Sequence, residues 1–355
     1  MEFIDLKAQY AHLKDKIDAR IRKVLDHGNY IMGPEVQELE EQLADYVGVN
    51  HCISCANGTD ALQLALMAFN IGEGDAVFVP TFTFFATAEV VAYAKATPIF
   101  IDSDERTFNI DPAKLEAAIL KIIKEKRLKP KAIIAVDLFG LPANYPEIEA
   151  IAAKYNLKLI EDSAQGFGGS INGKRAGGFG DIATTSFFPA KPLGCYGDGG
   201  AIFTNSDEIA DLIRSFRVHG KGIDKYDNIR IGVNSRLDTI QAAILLEKLA
   251  VFPQELNSRN ELAAKYNASL KDRFVTPYVP EGYVSSWAQY TVISDNRDAA
   301  MATFKEQGVP TMVYYRTCMH QQTAFADLGC RDTDFPVASR LAKQVFSLPM
   351  HGYMK

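Results

Sequence analysis

Seven short apolar runs separated by helix-like stretches constrain this chain more than any other feature. They are HCISC (51–55), AVFVP (76–80), TPIFI (97–101), KAIIAV (131–136), LKLIE (157–161), IATTSF (182–187) and AIFTN (201–205). Helical patterns such as TDALQLALMAF (59–69) and PEIEAIAAKY (146–155) lie between most of them. Apolar strands alternating with helices predict crossover units and a mostly parallel sheet covered on both faces. The last two runs are close together, joined by GCYGDGG, so an antiparallel element is expected to complete the sheet.

Two amphipathic helices are expected before the first run, over 8–26 and then to about Tyr46, divided by GNYIMGPEV (28–36). Beyond about residue 237 the pattern changes. LDTIQAAILLEKLAVF predicts one long helix and residues 257–271 another. YTVIS (290–294) and TMVYY (311–315) read as short strands, and a helix is expected at about 337–345. The division drawn from this change is a large domain over 1–245 and a smaller α+β domain over 246–355.

The net charge of −6 disfavours a nucleic-acid partner, because neutralising phosphates requires a basic surface. No apolar run reaches the roughly 18 to 20 residues of a membrane helix. The first residues, MEFIDLKAQY, do not read as a signal peptide. Five cysteines are sparse and odd in number, which reads as a reduced, cytoplasmic protein. Cys52 and Cys55 form a C-x-x-C inside a strand, where alternation sends the two thiols to opposite faces. The histidines form no close ligand pair, so no metal site is expected. GGSINGKR (168–175) has the glycine and lysine spacing of a phosphate loop, but Arg175 stands where the magnesium ligand would be and no apolar strand directly precedes it.

Three segments carry chemistry at strand ends. In ANGTDAL (56–62) a strand turns through Gly58 and Thr59 into a helix, whose free N–H groups suit an anion; capping alone would also explain the residues. In KLIEDSAQGFGG (158–169), Asp162 follows an apolar strand at the sheet edge where ligands bind in such folds; with Gln165 it also resembles a capping pair. In TTSFFPAKPLGCYGDGGA (184–201), Lys191 lies among Phe187, Phe188, Pro189 and Pro192. Desolvation there would favour the neutral amine that a Schiff-base lysine needs. A phosphate cradle, a carboxylate and a lysine at one edge are the parts that hold pyridoxal phosphate.

With these landmarks, together with VPTFTFFAT, VDLFG and GVNSRLDTIQAA, the whole chain resembles the sugar-nucleotide aminotransferases of the DegT/DnrJ/EryC1/StrS family. That resemblance implies fold type I: a large domain with a mixed, mostly parallel seven-stranded sheet and a smaller C-terminal α+β domain. It implies pyridoxal 5′-phosphate as cofactor, cycling through pyridoxamine phosphate. Lys191 matches the lysine that joins the cofactor and shuttles the proton, and Asp162 the carboxylate on the pyridine nitrogen. Gln165 matches the side chain near the ring hydroxyl, and Phe84 the stacking aromatic. Gly58, Thr59 and Ser186 match the phosphate cradle. Asn234 matches an asparagine that reaches the neighbouring subunit's cofactor, which implies a homodimer. Many relatives have histidine where Asp137 stands; no role follows for Asp137.

The resemblance further implies glutamate as donor, leaving 2-oxoglutarate, and a UDP-linked 3-keto-N-acetylglucosaminuronic acid as acceptor, a precursor of O-antigen polysaccharide. Another 3- or 4-keto sugar on UDP or dTDP, and a non-catalytic regulator of the same fold, are the alternatives. A dehydratase is disfavoured because lysine, not histidine, stands at 191. Both substrates are anionic, so cationic and hydroxyl groups are expected around them: Lys221, Arg236, Tyr314, Tyr315 and His320.

Overall fold

A computed structural model describes residues 1–224 and 226–354. In chain order, helices α1 (Leu6–His27) and α2 (Pro34–Val47) precede strand β1 (His51–Cys55), α3 (Gly58–Ala68), β2 (Asp75–Pro80), α4 (Ala86–Tyr93) and β3 (Thr97–Ile101). Then come α5 (Pro112–Glu125), β4 (Lys129–Val136), α6 (Tyr145–Tyr155), β5 (Lys158–Asp162) and the small strands β6 (Ser170–Ile171) and β7 (Lys174–Arg175). β8 (Ile182–Ser186), β9 (Gly200–Thr204), α7 (Asp207–Phe216) and α8 (Thr239–Leu270) follow. The chain ends with β10 (Tyr283–Val284), β11 (Tyr290–Ile293), α9 (Arg297–Glu306), α10 (Pro336–Gln344) and β12 (Val345–Leu348).

The seven expected runs form one sheet in the order β1-β9-β8-β5-β4-β2-β3. The pairs among β3, β2, β4, β5 and β8 are parallel, whereas β9 runs antiparallel to both β8 and β1. Both faces are buried, which is why the runs are apolar without alternation. Ile134, Val136 and Ile160 pack on the face of α3 and α4, while Ile133, Ala135 and Leu159 pack on that of α5 and α6. Cys52 and Cys55 are unpaired, buried, and in different core clusters on the two faces, as alternation requires.

Two local expectations are corrected. Residues 239–270 form a single helix through Pro253 instead of two. Leu249, Phe252 and Leu256 pack into the same core cluster on either side of the proline, and that burial offsets the missing backbone bond. TMVYY is not a strand: only Met312 bridges Ser347, and Tyr314 and Tyr315 lie in a turn. β12 pairs with β11 along all four residues, and Met312 touches the other edge of β12. The division expected at residue 245 falls inside α8. The early turns of α8 pack with α2 and β9, and Ala263 and Leu270 pack with β11, α9 and β12.

GGSINGKR is a hairpin. Asn172 and Gly173, both with positive φ, turn β6 back onto β7, the residue pair that a tight two-residue turn selects.

Candidate active site

The site lies where the carboxyl ends of β5 and β8 meet the amino end of α3. The α3 start is set by Asn57, whose side-chain oxygen accepts from the Asp60 amide at 2.8 Å. The Gly58 and Thr59 amides are the first of the helix, so they have no preceding turn to bond. Gly58 is required by packing: a Cβ there would come within 2.7 Å of the Ser186 Cβ. This close approach brings the end of β8 beside the helix N-terminus. Ser235 supports the turn from behind, its hydroxyl accepting from the Ala56 amide at 3.1 Å.

Asp162 ends β5 and is buried, with Oδ1 accepting from the Ala164 amide at 3.1 Å. Burial pushes its carboxyl above the ordinary range, while the Ala164 amide and the charge of Lys191 pull it back. Lys191 sits in the loop after β8, its amide donating to the Phe188 carbonyl at 2.8 Å. Burial lowers the affinity of its amine for a proton, opposed by Asp162. Burial thus disfavours each charge, and the opposite charge of the other partly offsets that cost.

Gln165 is fixed at both ends. Its Oε1 accepts from the Phe139 amide at 2.8 Å and its Nε2 donates to the Tyr315 hydroxyl at 3.2 Å. Phe84 is 54% exposed although it belongs to a buried segment, and its ring centroid lies 6.3 Å from that of Tyr315. An aromatic held out of the core at a sheet edge leaves a face available for stacking.

The expected substrate residues divide. Tyr315 joins the site through Gln165, and Tyr314 lies beside it, 6.2 Å between ring centroids from Phe3. Asn234 and Arg236 line a cavity with Ala56, Asn57 and Gly197, next to the turn that opens α3. Lys221 is exposed in the loop after α7, bridged to Asn228. His320 is buried. Its Nδ1 lies 2.7 Å from the Thr81 hydroxyl and its Nε2 3.3 Å from Asp332. Burial lowers its basicity, and its hydrogen-bond partners are Thr81, Asp332 and Ser339 and not residues of the site.

Other residues at the site lay outside the expectation. A cavity behind Lys191 is lined by Asp5, Gln9, Glu255, Arg259 and His351, from both ends of the chain and α8. The i, i+4 spacing of Glu255 and Arg259 shows that they share a helix face, but no local pattern shows that the face is buried. Among the described residues no group of histidine, cysteine and acidic side chains could hold a metal ion.

Comparison with known proteins gives a single answer. The family model described as DegT/DnrJ/EryC1/StrS aminotransferase matches residues 11–355. A Pseudomonas aeruginosa UDP-2-acetamido-2-deoxy-3-oxo-D-glucuronate aminotransferase is 53% identical, over all of this chain and 96% of its own. A Geobacillus stearothermophilus pleiotropic regulatory protein is 44% identical, over 99% and 94%. The crystal structure of a DegT DnrJ EryC1 StrS aminotransferase from Brucella abortus superposes with a TM-score of 0.98 at 53% identity, over 100% of this chain and 95% of that one.

Proposed function

The chain belongs to the DegT/DnrJ/EryC1/StrS aminotransferase family, and from that premise we propose that it moves an amino group from glutamate to C3 of UDP-2-acetamido-2-deoxy-3-oxo-glucuronate. The enzyme is a pyridoxal-phosphate-dependent sugar-nucleotide aminotransferase. The observation that carries this proposal is the half-buried Lys191 with the buried Asp162 at the sheet edge, in a chain 53% identical from end to end to a protein of that activity.

The residues present fit the cofactor. The Gly58–Ser186 approach makes a cradle that a Cβ would fill, beside the amides that open α3. Asp162 is a buried acceptor for a ring N–H, and the exposed Phe84 face is a stacking surface. When bound, pyridoxal phosphate supplies an electron sink for the charge left as a proton leaves the donor's α-carbon. Asp162 holds the proton on the ring nitrogen. The Lys191 amine takes the proton from the glutamate α-carbon and, in the second half-reaction, delivers one to sugar C3. Gln165, locked between Phe139 and Tyr315, orients the ring hydroxyl. Arg236, Lys221 and Tyr314 are proposed to meet the anionic substrates.

We also propose a homodimer in which Asn234 reaches the neighbouring subunit's cofactor, a large domain over 1–245 with a smaller one over 246–355, a cytoplasmic location and a role in O-antigen synthesis. Five free cysteines support a reducing compartment, and no described helix is long and apolar enough to cross a membrane. The 44% identity to a regulatory protein favours a second reading, regulation without turnover. A binding module, however, needs no proton-shuttling lysine.

The test is the visible spectrum of the protein loaded with pyridoxal phosphate. Glutamate is expected to bleach the band, and the UDP-3-keto sugar to restore it. Lys191→Ala is expected to cut turnover by at least about 10³-fold while the cofactor still binds. A band indifferent to glutamate would sink the donor assignment; a protein that never forms the band would bring regulation forward.

A further inference from the structure

Directly behind Asp162, on the other side of the sheet, lie two more carboxyl groups that the proposed reaction does not use. Ala135 is in register with Glu161, so Asp137, two residues on, projects to the same face as Glu161, whereas Asp162 projects to the opposite one. Asp137 and Glu161 are each 0% exposed. The Asp137 amide donates to the Asp162 carbonyl at 3.1 Å, tying the two strand ends together. Gly166 closes the pocket: a Cβ there would fall 2.2 Å from Asp137 Oδ2.

The hydrogen bonds of the two carboxyl groups are unequal. Asp137 Oδ1 accepts from the Ala143 amide at 3.0 Å and the Tyr145 hydroxyl at 2.8 Å. Glu161 accepts from the Gly177 and Phe179 amides, one on each oxygen, both at 2.7 Å. Asp137 Oδ2 is buried and no N–H or O–H of the described residues reaches it. On the same buried face, one strand over, stands the Glu161 side chain. Two carboxyl groups can hydrogen bond only if one is protonated. Two bare carboxylates side by side in the interior would leave an uncompensated charge, which is strongly unfavourable. The titratable groups facing the pair are Asp162 on β5, Tyr145 on α6 and Tyr283 on β10; none of these is a cation.

We propose that Asp137 and Glu161 share one proton, and that this carboxyl pair is a positioning device that clamps the ends of β4 and β5 and keeps a single negative charge behind Asp162. The functional half rests on the proposed role of Asp162 at the cofactor ring. Burial raises both carboxyl groups, Asp137 to about 7. A carboxyl group raised on folding holds its full stability contribution below its unfolded value and loses it as pH rises through the folded one. The apoprotein should therefore lose stability between about pH 4 and 7. Asp137→Asn fits the same space and replaces the shared proton with a permanent amide donor.

The experiment has two arms. Infrared spectroscopy of the apoprotein at pH 6 should show the carbonyl stretch of a buried carboxylic acid, lost in Asp137→Asn and, should that variant not fold, in Glu161→Gln. Thermal melts should show the wild-type decline between about pH 4 and 7 flattened in Asp137→Asn. In the loaded protein, the cofactor's absorption should shift near pH 7 in the wild type and not in Asp137→Asn. An acid band unchanged by both variants, or parallel stability profiles, would overturn the shared proton. The acid band with no cofactor shift would leave the shared proton standing and refute its influence on the ring through Asp162.

Discussion

At the scale of the residue, the molecule places charge where water cannot reach it and balances it locally. Lys191 and Asp162 oppose each other, and Arg217 reaches Glu40 at 2.5 Å and the Ser54 carbonyl at 2.7 Å. Lys248 is balanced less well. It is buried in α8 with its amine 4.9 Å from the centre of the Tyr196 ring, and burial lowers it to about 8. Glu255 supports its charge and Arg259 opposes it. A lysine lowered on folding gives a stability that rises with pH between its folded and unfolded values, because the unfolded chain binds the extra proton. Stability attributable to Lys248 should rise by up to about 3 kcal/mol between about pH 8 and 10.5. Lys248→Met should flatten that rise in denaturant titrations at successive pH values; equal slopes in the two proteins would refute the assignment.

At the scale of the element, α8 shows how packing overrides a local signal. Pro253 reads as a helix boundary, and the chain ignores it. Phe252 is buried against Phe167 and Tyr46, with ring centroids at 5.8 Å in both pairs, and Leu256 lies in the same cluster. Pro253 itself is exposed. Pro253→Ala should restore a backbone bond to Leu249 and raise stability by about 1–2 kcal/mol, after allowing for the greater freedom of the unfolded chain. Calorimetry would check it. A lower Tm would mean that the proline's bend is needed to seat Phe252 and Leu256. The tyrosines at 314 and 315 make the converse point. They are strand formers, yet only Met312 bridges β12, and they lie in a turn that faces Gln165.

At the scale of the whole molecule, the apolar surface is uneven. Ile223, Ile229 and Ile231 are strongly exposed in the loop after α7, as are Tyr30, Ile31 and Met32 between α1 and α2. Ile31 bridges Asp238 and lines the cavity that holds Asn234 and Arg236. The proposed homodimer would cover apolar side chains of this kind. Ile223→Asp with Ile231→Asp should convert a dimer to monomer in sedimentation experiments and weaken cofactor retention by about 10-fold or more. A wild-type monomer, or a double variant that stays dimeric, would remove this face from the interface.

The seven strands, the helices between them and the strand-end positions of Asp162 and Lys191 were legible in the chain because each depends on local information. An apolar run buried on both faces needs no alternation, and a lysine set among prolines and aromatics carries its environment with it. The carboxyl pair behind Asp162 was not legible. Asp137 and Glu161 lie on different strands, and only the parallel register of β4 on β5 turns them to one face. Nor was the fate of His320, whose position in a loop says nothing of the Thr81 hydroxyl 239 residues away. Sequence by itself determined the seven strands of the main sheet, since hydrophobic burial acts over a few residues. The tertiary structure alone decided which polar groups lost their water and which partners replaced it, because desolvation depends on everything packed around a group.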